Sequence, residues 1–82
     1  MNSTIVESAT LATVVYDGDH ELLRLEFRSR EIYEYFDVPA AVHEALLQAP
    51  SKGSFFNRVI RGRFCYSLVA DAGVSLLHRS QR

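Results

Sequence analysis

Residues 31–50 read EIYEYFDVPAAVHEALLQAP, and this stretch decides the fold. Its first part alternates in the manner of a strand, with Tyr33 and Tyr35 on the same face. From Val38-Pro39 onward the apolar residues instead recur at the three- and four-residue spacing of a helix. The change of period at the proline therefore predicts a strand followed by a helix over residues 39–49.

Two further strands are predicted before this stretch, over residues 11–16 and 21–27. The first is rich in β-branched side chains, and the second alternates cleanly, with Leu23, Leu25 and Phe27 on one face. Short polar segments connect the three strands, and such connections join neighbouring antiparallel strands. We therefore expect the first half of the chain to form a three-stranded meander.

The second half of the chain predicts a further helix and one more short strand. Asp37 is the preferred N-cap of the first helix, and Ser51 is expected to cap a second helix over residues 53–60. Gly62 suits the end of that helix, after which residues 63–68 alternate again and form a candidate fourth strand. The predicted fold class is α+β, a small single domain in which three or four antiparallel strands pack with two short helices.

Length and composition fit one small folded domain. Hydrophobic residues make up 48% of the 82 residues and charged residues 23%, a balance typical of a globular rather than a disordered chain. The start of the chain has no secretory signal, and no apolar run approaches the ~18 residues needed to cross a bilayer. We therefore expect a cytoplasmic protein that does not contact a membrane.

The domain is expected to occupy residues 5–68, followed by a tail over residues 69–82. This tail contains Val74, Leu76 and Leu77 and is too apolar for a simple disordered end. We expect it to pack on the domain or on a partner, such as a second copy of the chain.

Charge is distributed unevenly along the chain, although the net charge is only −1. Residues 1–51 contain nine acidic residues and three arginines, which gives a net charge of −6. Residues 52–82 contain six basic residues and one acidic residue, which gives a net charge of +5. Such an asymmetry can mark a nucleic-acid-binding face, or it can let the two halves or two copies of the chain attract each other.

Several short motifs occur in a characteristic order along the chain. They are Val6-Glu7-Ser8-Ala9, Tyr16-Asp17, Tyr33-Glu34-Tyr35, Val38-Pro39, Ala49-Pro50-Ser51-Lys52-Gly53, Phe55-Phe56-Asn57, Ile60-Arg61-Gly62-Arg63-Phe64 and Tyr66. In this order they resemble the KTSC family, small domains named after the C-terminal extension of some lysyl-tRNA synthetases and also found as stand-alone bacterial and phage proteins. The resemblance covers residues 5–66 and implies RNA binding, which has been suggested for the family because of its fusion to synthetases.

The chain departs from the family pattern at Arg30, where the family usually has a glycine in the turn before the paired tyrosines. A left-handed conformation at this position costs a non-glycine residue roughly 1 kcal/mol. The departure therefore leaves the type of this turn open.

Catalytic and metal-binding patterns are not found in the sequence, and we expect neither an enzyme nor a bound metal or cofactor. His20, His43 and His78 are far apart along the chain and have no metal-ligand spacing. Cys65, the single cysteine, excludes an intramolecular disulfide, and its apolar alternating surroundings predict a buried and unreactive thiol.

The candidate binding residues are basic, polar or aromatic: Lys52, Arg58, Arg61, Arg63, Tyr33, Tyr35, Ser51 and Asn57. The start of the second helix could bind an anion with its free backbone donors, or Ser51 could simply cap that helix. The two tyrosines could stack on RNA bases or instead cover the core. The arginines could bind phosphates or pair with the acidic meander of the same or a second copy.

The favoured function is a non-catalytic binding module whose leading ligand is RNA, either tRNA or single-stranded RNA. The alternative is a homo-oligomeric or protein–protein interaction module that associates through the apolar tail. The two predictions differ in salt dependence, because binding through a few cationic groups weakens steeply with added salt, whereas apolar association does not.

Overall fold

The computed structural model describes residues 2–71, and its largest element is one antiparallel sheet. Its strands are β1 (Asn2–Ile5), β2 (Leu11–Asp17), β3 (Leu22–Phe27), β4 (Glu31–Tyr35) and β5 (Tyr66–Asp71). They lie side by side in chain order, so every strand pairs with its neighbour in the sequence. The α+β class and the meander predicted from the sequence are confirmed.

Two helical segments separate β4 from β5. They are α1 (Ala40–Gln48) and α2 (Lys52–Phe55), and α2 continues directly into a π-helical turn over Phe56–Ile60. Among residues 2–71 there is no helix with the length and apolar character needed to span a bilayer.

The sheet has five strands rather than the three or four predicted. The additional strand is β1, whose Asn2-Ser3-Thr4-Ile5 sequence is short and mostly polar and gives no alternating signal. Main-chain pairing with β2 forms this edge strand, and main-chain pairing requires no apolar side chain. The candidate fourth strand is present as β5, which begins at Tyr66 rather than at Arg63.

The sheet extends on both sides of the predicted domain limits of residues 5–68, because β1 begins at Asn2 and β5 ends at Asp71. The expectation that Val74, Leu76 and Leu77 pack on the domain or on a partner concerns residues outside those that the structure describes.

The strand register puts the paired tyrosines on the face that carries the core. Tyr33 lies opposite Leu25, and Tyr35 lies opposite Leu23. Directly opposite residues point to the same side of a sheet. The tyrosines therefore face the helices, and the intervening Glu34 points to the other side.

The core lies between this face of the sheet and the helical segments. Its buried apolar members are Val6, Leu11, Val14, Tyr16, Leu23, Leu25, Tyr35, Val38, Leu46, Phe56 and Ile60. One polar side chain, His43 of α1, is buried with them and stacks on Tyr16, with ring centroids 4.5 Å apart. The Tyr16 hydroxyl donates a hydrogen bond to the Val38 carbonyl at 2.6 Å, which fastens β2 to the segment before α1.

The two helices begin differently. Helix α1 has Pro39 as its N-cap and no side-chain cap, so the prediction that Asp37 caps this helix is wrong. Asp37 instead adopts a left-handed conformation with φ of 60°. The Ser51 cap of α2 is confirmed, because the Ser51 hydroxyl accepts a hydrogen bond from the Ser54 amide at 3.3 Å.

The second helix ends in a π-helical turn that is followed directly by a β-turn. In the π-helical turn, the Arg61 amide donates to the Phe56 carbonyl at 2.8 Å, five residues back. A type II turn follows, in which Arg61 has φ −64° and ψ 128° and Gly62 has φ of 81°. The Arg63 amide closes this turn on the Ile60 carbonyl at 3.1 Å. The glycine is needed because the third position of a type II turn has a positive φ, and the predicted stop at Gly62 is confirmed.

The structure of the hairpin between β3 and β4 shows which conformation Arg30 adopts. This residue has φ of 80°, and its amide donates to the Phe27 carbonyl at 2.9 Å. A three-residue hairpin loop commonly ends in such a left-handed residue, a position that favours glycine. Arg30 therefore occupies the strained position of the turn.

Candidate binding pocket

An open pocket of about 250 Å³ lies where the β3–β4 hairpin, β5 and the end of the π-helical turn meet. We call it the aromatic pocket. Its lining residues are Phe27, Glu31, Tyr33, Tyr35, Phe56, Arg61, Gly62 and Tyr66. Three of the residues predicted from the sequence, namely Tyr33, Tyr35 and Arg61, are thus brought together at one place.

Five aromatic rings form a continuous network around the pocket. Phe27 and Tyr35 both contact the ring of Phe56 edge-on, at centroid distances of 5.2 and 5.7 Å. Tyr66 lies 5.5 Å from both Tyr33 and Tyr35. Such edge-on and tilted contacts are the arrangements that aromatic pairs prefer.

The network is buried at one end and open at the other. Tyr35 is only 4% exposed and Phe56 only 7%, so their rings belong to the core. Tyr66 is 60% exposed and presents its ring to solvent. The two tyrosines therefore differ in location. Tyr35 belongs to the core, whereas Tyr33 is half-buried and lines the pocket.

Two charged side chains line the pocket along with the rings. Glu31 is the first residue of β4, and one of its carboxylate oxygens accepts a hydrogen bond from the Ser29 hydroxyl at 3.3 Å. Arg61 follows the π-helical turn, and its Nη1 donates to the Asn57 Oδ1 at 3.4 Å. Neither side chain forms an ion pair within residues 2–71. The pocket therefore offers one acidic acceptor and one cationic donor.

The Tyr35 phenol at the pocket is not poised for proton transfer near neutral pH. Burial, with smaller effects of the phenols of Tyr33 and Tyr66, raises the pKa of Tyr35 to about 12. The positive charge of Arg61 acts in the opposite direction but does not cancel these effects. The Tyr35 phenol is therefore neutral at physiological pH and serves as ring surface and hydrogen-bonding group.

Arg58 and Arg63 lie on either side of Arg61 in the sequence but do not line the pocket. Both are exposed, and neither has a hydrogen-bond or ion-pair partner within the part of the chain that the structure describes. Pairing of the arginines with the acidic meander of the same chain is not seen there. Glu34 of the meander instead pairs with Arg24 at 2.6 Å, on the face of the sheet opposite the pocket.

Ser51 and Lys52 lie at the start of α2, apart from the pocket. The Lys52 ammonium donates to the Ala49 carbonyl at 3.0 Å, and Ser51 caps the helix. Gly53 lies so close to the loop before β2 that a Cβ at this position would be 2.5 Å from the Thr10 Oγ1. These contacts explain the Ser51-Lys52-Gly53 motif as a cap and a close chain approach, and they engage the Ser51 hydroxyl and one donor of the Lys52 ammonium within the chain.

Sequence reasoning missed several pocket residues or gave them other roles. Glu31, Phe27, Phe56 and Tyr66 line the pocket but are not among the candidate binding residues predicted from the sequence. The signal for Tyr66 was its alternating position in the candidate strand. Cys65 is exposed, contrary to the expectation of a buried thiol. Among the described residues, no group of three or more His, Cys, Asp or Glu side chains is arranged to hold a metal ion.

Comparisons with known proteins identify relatives for most of the chain. The family model for the KTSC domain matches residues 7–64. A lysine–tRNA ligase of Nostoc sp. (strain PCC 7120 / SAG 25.82 / UTEX 2576) is 45% identical over 60 residues, which are 73% of this chain but 11% of the ligase. The chain therefore spans about a tenth of the length of this relative.

Two further relatives have nearly the same size as the matched region. An uncharacterized protein of Stutzerimonas stutzeri (strain A1501) is 38% identical over 61 residues, which are 74% of this chain and 86% of that protein. The crystal structure of a KTSC domain protein from Yersinia pestis superimposes with a TM-score of 0.81 and 33% identity, covering 84% of this chain and 97% of the other.

Proposed function

We propose that this chain, which belongs to the KTSC domain family, is a non-catalytic, cytoplasmic module that binds RNA at its aromatic pocket. The observation that carries the proposal is the combination of an exposed tyrosine ring with an arginine in one open pocket. Single-stranded RNA is commonly bound by stacking its bases on aromatic rings and on arginine planes. The exposed ring of Tyr66 supplies a stacking surface, and the guanidinium of Arg61 supplies hydrogen-bond donors in the same pocket.

Electrostatics around the pocket support a polyanionic ligand. Arg58 and Arg63 are exposed and unpaired within residues 2–71, and they lie three residues before and two residues after Arg61 in the sequence. The acidic Glu34 faces the other side of the sheet and is neutralised by Arg24. Arg58 and Arg63 can therefore contact phosphates without a compensating ion pair, and phosphate contacts provide most of the sequence-independent affinity for nucleic acids.

The relatives supply a second line of support. A segment like this chain occupies about a tenth of a lysine–tRNA ligase, an enzyme named for its tRNA substrate. An added RNA-binding surface would suit such an enzyme. The same residues in a chain of this size are then expected to bind tRNA or single-stranded RNA.

The proposal is tested by titrating ¹⁵N-labelled protein with tRNA and with single-stranded RNA while the amide shifts are recorded residue by residue. We expect shifts at Tyr66 and at residues 61–63. Affinity should fall about sevenfold between about 50 and about 200 mM salt if Arg58 and Arg63 contact two phosphates.

The matched variants are Arg61→Gln and Arg24→Gln, which remove the same charge on opposite faces of the sheet. Arg61→Gln should weaken RNA binding, whereas Arg24→Gln should leave it nearly unchanged. Equal effects of the two variants would contradict the pocket as the RNA site.

Self-association is the competing proposal, because two neighbouring side chains on β5 are exposed and apolar. Tyr66 is 60% exposed and Leu68 is 53% exposed. Association through these side chains would persist at high salt, unlike phosphate binding. If sedimentation shows a dimer at both salt concentrations and RNA causes no amide shifts, the interaction-module proposal replaces RNA binding.

A further inference from the structure

Resting on the RNA-binding function proposed above, we infer that the aromatic pocket selects guanine among the RNA bases, with Glu31 and Arg61 as the recognising side chains. These residues are distant in the sequence and line the same cavity, Glu31 at the start of β4 and Arg61 after the π-helical turn. One is an obligate acceptor and the other an obligate donor.

The carboxylate of Glu31 determines which part of a nucleotide enters the pocket. It forms no ion pair within residues 2–71, so its charge repels a phosphate placed in the cavity. Arg58 and Arg63 are exposed beyond the pocket lining, where phosphates can reach them. This distribution favours the base inside the pocket and the RNA backbone outside it.

The hydrogen-bonding capacity of a carboxylate fits guanine better than the other bases. Its two oxygens accept best from two adjacent N–H donors, as they do from the arginine fork. Guanine presents such a pair, N1–H and the N2 amino group, on its Watson–Crick edge. Adenine and cytosine present one amino group beside a ring acceptor, and uracil presents one N–H between two carbonyls. In each of those bases an acceptor would face the carboxylate.

Arg61 complements the remaining polar atoms of the same base. Guanine carries the acceptors O6 and N7, to which arginine makes the commonest base-specific contact in nucleic-acid complexes. The Glu31 carboxylate is held by Ser29, and the Arg61 guanidinium is held by Asn57. These contacts are long, at 3.3 and 3.4 Å, and each engages one oxygen or nitrogen, so both groups keep further positions for a base.

The size and walls of the pocket agree with a single base. Its volume of about 250 Å³ lies just below the roughly 300–1,000 Å³ of pockets that hold whole small molecules. The aromatic network provides flat apolar surface on which a purine, the larger class of base, gains the most contact.

The test compares short single-stranded RNAs that differ only in one central base flanked by uridines. With affinities measured by fluorescence anisotropy, the guanine oligonucleotide should bind at least about fivefold more tightly than those with adenine, cytosine or uracil. Inosine at the centre lacks the N2 amino group and should bind more weakly than guanine.

Two glutamate variants identify the recognising group. Glu31→Gln replaces one acceptor oxygen by a donor and should abolish the guanine preference while retaining RNA binding. Glu26→Gln removes the same charge on the opposite face of the sheet and should keep the preference.

The outcomes separate this inference from the proposed function. Equal binding of all four oligonucleotides overturns guanine selection and leaves RNA binding in place. A guanine preference that survives Glu31→Gln overturns the assignment of Glu31. Failure of every oligonucleotide and of tRNA to bind would overturn both the inference and the proposed function.

Discussion

Tyr35 on β4 lies directly opposite Tyr66 on β5, and their ring centroids are 5.5 Å apart. The two rings differ sharply in environment, because Tyr35 is 4% exposed and Tyr66 is 60% exposed. One cross-strand pair thus joins the core of the domain to the open rim of the aromatic pocket. Stability and ligand binding should therefore respond differently to substitution of its two members.

Replacing the exposed member should affect binding more than folding. We expect Tyr66→Ala to lower the free energy of unfolding by roughly 0.5–1.5 kcal/mol, because its ring contacts those of Tyr33 and Tyr35. RNA affinity should fall by roughly 1–3 kcal/mol, the value of one base stacked on an aromatic ring. Urea unfolding and RNA titration of the same sample measure the two quantities. Leu68→Ala is the control, since Leu68 is exposed on the same strand but does not line the pocket. An equal loss of RNA affinity in Leu68→Ala would contradict stacking on Tyr66.

The strained turn residue Arg30 offers a route to a more stable domain. Arg30→Gly relieves a left-handed conformation that costs a non-glycine residue roughly 1–2 kcal/mol, and the greater freedom of glycine in the unfolded chain offsets part of that gain. We expect a net stabilisation of roughly 0.5–1 kcal/mol in urea unfolding. Arg30→Ala removes the same side chain but keeps the Cβ, so it should give no comparable gain. If the alanine variant is stabilised as much as the glycine variant, the backbone is not the cause.

Replacing Gly62 should destabilise the domain, because here the left-handed position already holds a glycine. It has φ of 81° and lies in open space, with no atom within 4 Å of a Cβ placed there, so a substitution is penalised through the backbone alone. Gly62→Ala should destabilise the domain by about 1 kcal/mol. Gly62→Asn should lose less, because asparagine tolerates the left-handed region better than alanine. Thermal or urea unfolding distinguishes the two, and a smaller loss for alanine than for asparagine would argue against this explanation.

His43 should make the domain less stable in mild acid. It is buried against Tyr16, its Nε2 has no hydrogen-bond partner within residues 2–71, and burial lowers its pKa below the ordinary 6.5. The unfolded chain therefore takes up the proton more readily than the folded one. The stability that neutral, buried His43 contributes is complete above about pH 7 and declines as the pH falls through 6.5 and below. His43→Phe retains a stacking ring without a titrating group and should flatten the dependence of unfolding free energy on pH between about 5 and 7.

A second histidine acts in the opposite direction and provides the control for this pH profile. The hydrogen bond to Asp17 raises the pKa of the exposed His20, so its contribution is present below pH 6.5 and is lost as the pH rises through its folded-state value. His20→Gln should therefore steepen the loss of stability toward acid. If His43→Phe and the unmodified protein have the same pH profile, His43 is not the responsible group.

Local features of the fold could be predicted well from the sequence. The change from alternating to helical spacing at Val38-Pro39 located the end of the meander and the beginning of α1 to within a few residues. The Ser51 cap and the Gly62 stop were also predicted, because each depends on the chemistry of one residue and its nearest neighbours along the chain. Asp37 shows the limit of this reasoning, since its favourable side chain does not cap the helix.

The candidate site was predicted only in part. Tyr33, Tyr35 and Arg61 were named from their residue types, but the sequence did not indicate that they share a cavity with Glu31 and Tyr66. Their proximity depends on the pairing of β4 with β5, whose register no local pattern reports. Ser51 and Lys52, chosen by the same reasoning, lie elsewhere and use their polar groups within the chain.

The sequence by itself determined the α+β class, the antiparallel order of the central strands and the membership in a family, because periodicity and short motifs are local properties of the chain. Only the tertiary structure decided that β1 exists, that the helix after Phe55 widens into a π-helical turn, and that a carboxylate and a guanidinium meet at one aromatic pocket. Each of these depends on partners distant in the sequence: main-chain pairing for β1, the burial of Phe56 and Ile60 for the turn, and strand register for the pocket. Such long-range contacts are fixed by packing against the whole core, and no local pattern contains that information.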